Sequence, residues 1–289
     1  MSIYKYLPIE IALLYFENWH LRLSRRFDLN DPFEIQVKTP TPPPWTAPQP
    51  SPKLPPDDLH WLPPAPPPQM VHEYQDFKVK EALWPMVGMV CFSRTRRHLL
   101  MWAHYTNSHK GVLLEFDDKH PCFSRKIADL GDPPASVHPE AVDGWRNAVA
   151  EKRFPDLWGR LDDVQYSDER FTVYSDLEED AVKRICLTKS LEWAYEQEVR
   201  LLWPVALADE PESSKRQFAK AWEVRLFSVP PGALRSITLG ALCHSESQLE
   251  IKRRLDKTDT GHVQILRAVP DKQEFRLNYE SCDWPKEAA

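Results

Sequence analysis

Glu196 and Glu198 stand one residue apart, directly ahead of an apolar run closed by Pro204. Val199, Leu201 and Trp203 alternate with Arg200 and Leu202, the period of a strand with at least one buried face. Continued back through Glu196, an extended backbone sets both carboxylates on one side, about 6–7 Å apart. Two acids so placed repel, which keeps one of them protonated near neutral pH and equips the pair for acid or base work. The plainer reading makes them solvated charges on a turn, with Lys189 and Arg200 as surface partners.

Other reactive groups are sparse. His104 and His109 lie five apart, which is not the three or four that brings ligands together on a helix. Asp31, Glu196 and Glu198 are oxygen donors of the kind that suits Mg or Mn, which keeps a metal-dependent hydrolase or nuclease among the alternatives. The five cysteines, Cys91, Cys122, Cys186, Cys243 and Cys282, are odd in number, widely spaced and free of any Cys-x-x-Cys pair, so they read as reduced thiols. Eight glycines in the whole chain, none in a phosphate-cradling loop, exclude a Rossmann fingerprint.

These groups need a scaffold. With 289 residues, 42% hydrophobic and 11% aromatic, the chain has enough apolar side chain for one large domain with a buried core, and 1–289 is read as one domain. A net charge of −6 with acids and bases interspersed recommends no generic nucleic-acid face. The first residues lack a signal-peptide pattern, and no apolar run approaches membrane-crossing length, so a soluble, cytoplasmic protein without membrane association is expected.

Along the chain, Ile3 to Tyr6 reads as a strand, Glu10 to Trp19 as a helix, His20 to Ser24 as a strand, and Asp28 to Glu34 as a turn. Fourteen of the 28 prolines fall between 39 and 69, a proline-rich loop inserted in the domain, which either pins to the body or offers a docking surface. Residues 73–82 read as a helix, Met86 to Ser93 as a strand buried on both faces, Leu99 to Tyr105 as a helix and Gly111 to Asp117 as a strand. A variable helical insert spans about 124–179, with a helix around 140–152 and another piece ending near Lys183, before a strand at Ile185 to Lys189. A helix tail at 215–222, strands at Val224 to Phe227 and Ser236 to Gly240, a helix from His244 to Leu255, and strands at Val263 to Val269 and Phe275 to Leu277 complete it. The sum is an α+β domain with a mixed, mostly antiparallel central sheet and flanking helices.

Five motifs then carry a likeness: Tyr4-Lys5-Tyr6, Asn30-Asp31-Pro32-Phe33-Glu34, Cys91-Phe92-Ser93, Met101-Trp102-Ala103-His104-Tyr105 with His109-Lys110-Gly111, and Trp193-Ala194-Tyr195-Glu196-Gln197-Glu198-Val199-Arg200. In this order, with the later Leu239-Gly240, they resemble the bacterial domain-of-unknown-function family 2971, nearly end to end. A second resemblance is to the ADP-ribosyltransferase superfamily, whose members place a basic residue on the first strand, a Ser or Tyr on a middle strand and a Glu-x-Glu at the start of a later one. Here those places fall to Lys5, Ser93 and Glu198, with Glu196 the outer acid; His104 and Tyr105 compete with Ser93 for the middle place, and Lys5 departs from the usual Arg or His and lacks the bidentate fork.

That resemblance implies an NAD-using enzyme, in which a carboxylate stabilises the cationic ribosyl centre left by departing nicotinamide. It implies Glu198, Glu196 and Ser93 as catalytic groups, and Lys5, Asn30, Asp31, Trp102, His104, Tyr105, Tyr195 and Arg200 as cofactor-binding residues, with no metal. The partner is then a small nucleotide, the macromolecular acceptor is left open, and a toxin or phage-defence role follows by fold analogy alone. Each residue has a plainer reading: Ser93 as partner of the turn at Thr95, Lys5 as a solvated edge charge, Trp102, Tyr105, Trp193 and Tyr195 as core aromatics. The corresponding alternative is a non-catalytic binding module in which Glu196, Glu198 and Arg200 form a buried ion network.

Overall fold

A computed structural model describes residues 1–36, 87–127, 158–171, 179–209 and 224–285. The proline-rich loop at 39–69 and the expected helices over 73–82, 140–152 and 215–222 lie outside the described residues. The chain runs β1 (Ser2–Leu7), α1 (Ile9–Asn18), β2 (His20–Leu23), β3 (Val87–Ser93), α2 (Leu99–Tyr105) and β4 (Val112–Asp117). It continues β5 (Leu161–Asp163), β6 (Gln165–Ser167), α3 (Glu179–Cys186), β7 (Thr188–Ser190), β8 (Glu198–Pro204), β9 (Arg225–Ser228), β10 (Leu234–Leu239), α4 (Ser245–Leu255), β11 (Gln264–Pro270) and β12 (Leu277–Ser281).

Eight strands form one sheet in the order β12-β11-β10-β4-β1-β3-β8-β5, and β2-β9 and β6-β7 form two small pairs. In the large sheet β10 and β11 run parallel, with α4 between them in the chain, and the other neighbours run antiparallel. The fold is therefore α+β with a mixed, mostly antiparallel sheet.

Strand alternation divides the core between the two faces. Ile3, Leu7, Val90, Phe92, Leu114, Phe116, Val199 and Leu201 pack with Tyr15 and Phe16 of α1 and Ile251 and Leu255 of α4. On the opposite face Tyr6 and Leu113 pack with Met101 and Trp102 of α2, and Met89 and Leu202 with Ile185 and Cys186 of α3. Each Val, Leu, Ile, Phe or Met side chain among these contributes about 1.5–3 kcal/mol on removal from water, so the sheet is held from both sides.

The segments His109-Lys110-Gly111 and Leu239-Gly240 meet as a backbone crossing. Gly240 N–H donates to the Gly111 carbonyl at 2.9 Å, and a Cβ on Gly240 would stand 2.2 Å from the His109 oxygen. Asn107, Ser108 and His109 all adopt left-handed φ, which turns the chain from α2 into β4.

Three expectations are corrected. Residues 185–187 do not start a strand: α3 runs to Cys186 and the strand starts at Thr188, because a short apolar run reads alike as buried helix or strand. The last strand is Leu277–Ser281, leaving Phe275 fully exposed. Within the stretch expected to be helical, 161–163 and 165–167 are strands, each of three residues and too short for a period to register.

Candidate functional site

The two glutamates are not consecutive positions of one strand. Leu191–Glu196 is a turn of 3-10 helix, Gln197 adopts left-handed φ of 44°, and the strand opens at Glu198. Their carboxylates nevertheless converge, because both point at one ammonium. Lys189 Nζ donates to Glu196 Oε2 at 2.6 Å and to Glu198 Oε2 at 3.0 Å, and lies 3.3 Å from Glu34 Oε1. The period of two along β8 sets Arg200 beside Glu198, where its guanidinium grips the carboxylate with Nε at 2.8 Å and a terminal nitrogen at 2.9 Å. The same guanidinium pairs with Glu34 and donates to the Cys186 carbonyl at 2.6 Å.

All five groups are buried: Arg200 is 0% exposed, Glu196 3%, Glu34 4%, and Lys189 and Glu198 6%. The reading of solvated turn charges with surface partners is thereby overturned. Nor do the two acids face each other bare, since Lys189 donates to both and Arg200 to Glu198. Burial raises the Glu198 carboxyl, but Arg200 and Lys189 outweigh it and bring it down to about 2. Burial likewise works against the charged forms of Lys189 and Arg200, and the carboxylates overcome it, raising both. Each charge is thus held by its neighbours, the condition under which a buried ion network is tolerated. Among these five groups three carboxylates face two cations, and the Lys5 ammonium acts on Glu198 and Glu196 from close by.

Ser93 lies directly across from Glu198 on β3, and Tyr4 directly across from Ser93 on β1. The row continues through Glu115 and Ser236 to Gln264, six polar side chains across six neighbouring strands on one face. Glu115 accepts hydroxyl bonds from Ser2 at 2.7 Å and Ser236 at 2.8 Å. Tyr4, which the sequence reading passed over, thus shares a level with Ser93 and Glu198.

Lys5 starts from the other face, with Ile3 and Leu7. Its ammonium reaches the seam between β1 and β3, donating to the Cys91 carbonyl at 2.6 Å. It is no solvated edge charge, since β1 is an interior strand; burial lowers its pKa, against the pull of Glu198 and Glu196. The Cys91 thiol is pushed up to about 12, by burial first and then by the Glu198 charge, so it stays protonated. The described cysteines are all free.

Around the buried charges stands a partly exposed aromatic rim. Tyr105 donates to Glu196 Oε1 at 2.5 Å, and the exposed Asn30 lies against the Tyr105 hydroxyl. Lys189 sits under the Trp193 ring, 4.9 Å from its centroid, and Tyr195 stacks on His98 at 4.8 Å. Ser93 both accepts the Thr95 N–H at 3.0 Å, the turn role, and donates to the Glu196 carbonyl at 2.5 Å.

Not every candidate joins this cluster. Trp102 is fully buried, its indole N–H donating to Tyr279 at 3.3 Å and the Arg96 carbonyl at 3.4 Å. His104 is exposed on α2. Asp31 is buried, one oxygen closing its turn on the Phe33 N–H at 2.8 Å and the other without a partner. Among the described residues no group of His, Cys, Asp and Glu is placed to hold a metal ion. The oxygens of Glu196 and Glu198 that a metal-dependent hydrolase would use are already taken by Lys189, Arg200 and Tyr105.

Sequence reasoning named Lys189 only as a surface partner of the two acids, and missed Glu34 and also Tyr166, whose hydroxyl accepts the Glu198 N–H at 2.7 Å. Alternation in β7 turns Lys189 inward, but a three-residue strand is too short to announce it.

The family model described as a protein of unknown function (DUF2971) matches residues 101–201, about a third of the chain. The nearly full-length extent expected for this likeness is therefore narrowed: Lys5, Asn30, Asp31 and Ser93 fall outside the match. No curated protein and no solved structure matches the chain. Among the described residues no helix is long and apolar enough to cross a membrane. What the comparison supports is similarity to that family over the segment that carries Tyr105, Lys189, Glu196, Glu198 and Arg200.

Proposed function

We propose that the protein binds NAD where the polar row meets the aromatic rim, and that it transfers or hydrolyses the ADP-ribose group. The observation that carries this reading is the alignment of Tyr4, Ser93 and Glu198 at one level across three neighbouring interior strands, beside Glu196 and under a partly exposed rim. Carboxylates held in a low-dielectric setting favour a ligand whose reacting centre becomes positive, as the ribosyl carbon does when nicotinamide departs.

Glu198 serves this chemistry as a fixed anion, since a carboxyl near pKa 2 is no proton donor at neutral pH. Glu196, with one oxygen on a neutral phenol, is the carboxylate that meets the sugar. Ser93 and Arg200 position the pair; Tyr105, Tyr195 and Asn30 form the entrance. The site's residues fit a planar, hydroxyl-bearing ligand, with stacking surfaces at Tyr195 and Trp193.

Calorimetric titration tests the reading: wild type binds NAD, and Glu196→Gln binds at least tenfold more weakly with a thermal midpoint within a few degrees. Absence of heat with NAD contradicts it. The competing reading, a non-catalytic binding module organised by the ion network, is favoured by one observation: every oxygen of Glu34, Glu196 and Glu198 already has a protein partner. In that case Glu198→Gln lowers stability and changes no chemistry.

A further inference from the structure

The cluster contains six carboxylate oxygens from Glu34, Glu196 and Glu198, and five of them face Lys189 or Arg200. The sixth, Glu196 Oε1, is met among the described residues by the Tyr105 phenol at 2.5 Å. These contacts differ in how readily they yield. Pulling a buried carboxylate off a cation strands two charges, whereas a neutral hydroxyl is replaced without loss by another hydroxyl in the same place. Of Glu196's side-chain partners among the described residues, Tyr105 is the one that is not buried: Lys189 is sealed at 6% exposure, while Tyr105 stands half-buried at the end of α2, beside exposed Asn30 and His104. Burial and the Glu196 charge raise the phenol's pKa, so it stays a donor throughout the physiological range.

We infer that the Tyr105 hydroxyl occupies the place of a ligand hydroxyl, and that a sugar-bearing ligand enters by displacing it from Glu196 Oε1. Tyr105 is then a specificity-determining residue that guards the carboxylate. It admits ligands with a hydroxyl to offer in return, and holds the oxygen satisfied when none is bound. The exchange leaves the donor count at Glu196 unchanged, and the freed phenol turns to water at the exposed edge beside Asn30. This inference rests on the reading of the site as one for a ribose-bearing nucleotide, and refines it from NAD contact by Tyr105 to competition by Tyr105.

The test compares wild type and Tyr105→Phe in calorimetric titrations with ADP-ribose and, separately, with nicotinamide, which has no sugar. Removing the competing phenol makes ADP-ribose bind about tenfold tighter to Tyr105→Phe, equivalent to about 1.4 kcal/mol, and leaves nicotinamide unchanged. A purely structural role for Tyr105 does not produce that split between the two probes. Adding Glu196→Gln to Tyr105→Phe abolishes the gain. Equal or weaker binding of ADP-ribose by Tyr105→Phe overturns the inference and leaves the proposed function standing. If neither protein binds either probe, both fall.

Discussion

Ser93 and Glu198 stand directly opposite each other on β3 and β8, yet the Ser93 hydroxyl donates to the main-chain carbonyl of Glu196, at 2.5 Å, instead of to the Glu198 carboxylate. The serine therefore fixes the 3-10 turn that carries one acid onto the strand that carries the other. Removing it frees the end of that turn. Ser93→Ala is expected to cost about 1–3 kcal/mol, the range for stranding a buried polar partner. It also weakens NAD binding more than it lowers stability, because Glu196 is no longer held over Lys189. Urea unfolding and calorimetry on the same protein separate the two effects; an affinity loss no larger than the stability loss contradicts the positioning role.

Arg200 and Glu198 form the inner half of the network. Arg200→Met leaves Glu198 and Glu34 without their guanidinium and is expected to destabilise by on the order of 3–5 kcal/mol. Combining it with Glu198→Gln costs less than the sum of the two single changes, since the second removes a charge the first stranded. Strict additivity in a urea double-mutant cycle contradicts the coupling seen in the structure.

Acid stability follows from the depressed Glu198 carboxyl. Its folded value of about 2 lies below its ordinary 4.5, so its contribution is fully present above pH 4.5 and is lost as pH falls toward 2. The shift corresponds to on the order of 3 kcal/mol. Wild type loses that stability between pH 4.5 and 2, and Glu198→Gln has a shallower acid limb. Parallel acid limbs in the two proteins count against a charged, paired Glu198.

Cys91 sits one position along β3 from the Ser93 row's neighbour Phe92, and its thiol is pushed from 9.0 up to about 12. At pH 8 the thiolate fraction is then about a thousandfold below that of an ordinary cysteine, and alkylation of Cys91 in the native protein is correspondingly slow. Mass spectrometry of iodoacetamide-treated protein reads this directly; fast labelling of Cys91 indicates an activated thiol.

Much of the sheet was legible because its strands are long and strongly patterned. The apolar runs read at 86–93 and 199–203 are of strand length, and Val87–Ser93 and Glu198–Pro204 are interior strands. The pairing of Glu198 with Arg200 also follows from a period of two. The rest depended on contacts that local sequence does not encode. Lys189 lies on a three-residue strand and is buried among Glu196, Glu198 and the distant Glu34, and a single lysine between Thr188 and Ser190 gives no sign of that. Lys5 met the expected seam from the wrong face, since alternation assigns the first-strand place at the Ser93 level to Tyr4. The left-handed Gln197 broke the extended backbone assumed between the two acids, a break that a non-glycine residue does not advertise.

The most direct test of the account is release of free nicotinamide from NAD by purified full-length protein, with and without a macromolecular extract as acceptor, followed by liquid chromatography. The account predicts nicotinamide release by wild type, and a loss of at least a hundredfold in both Glu196→Gln and Glu198→Gln while the proteins remain folded by circular dichroism. Equal traces from wild type and both folded variants would contradict it.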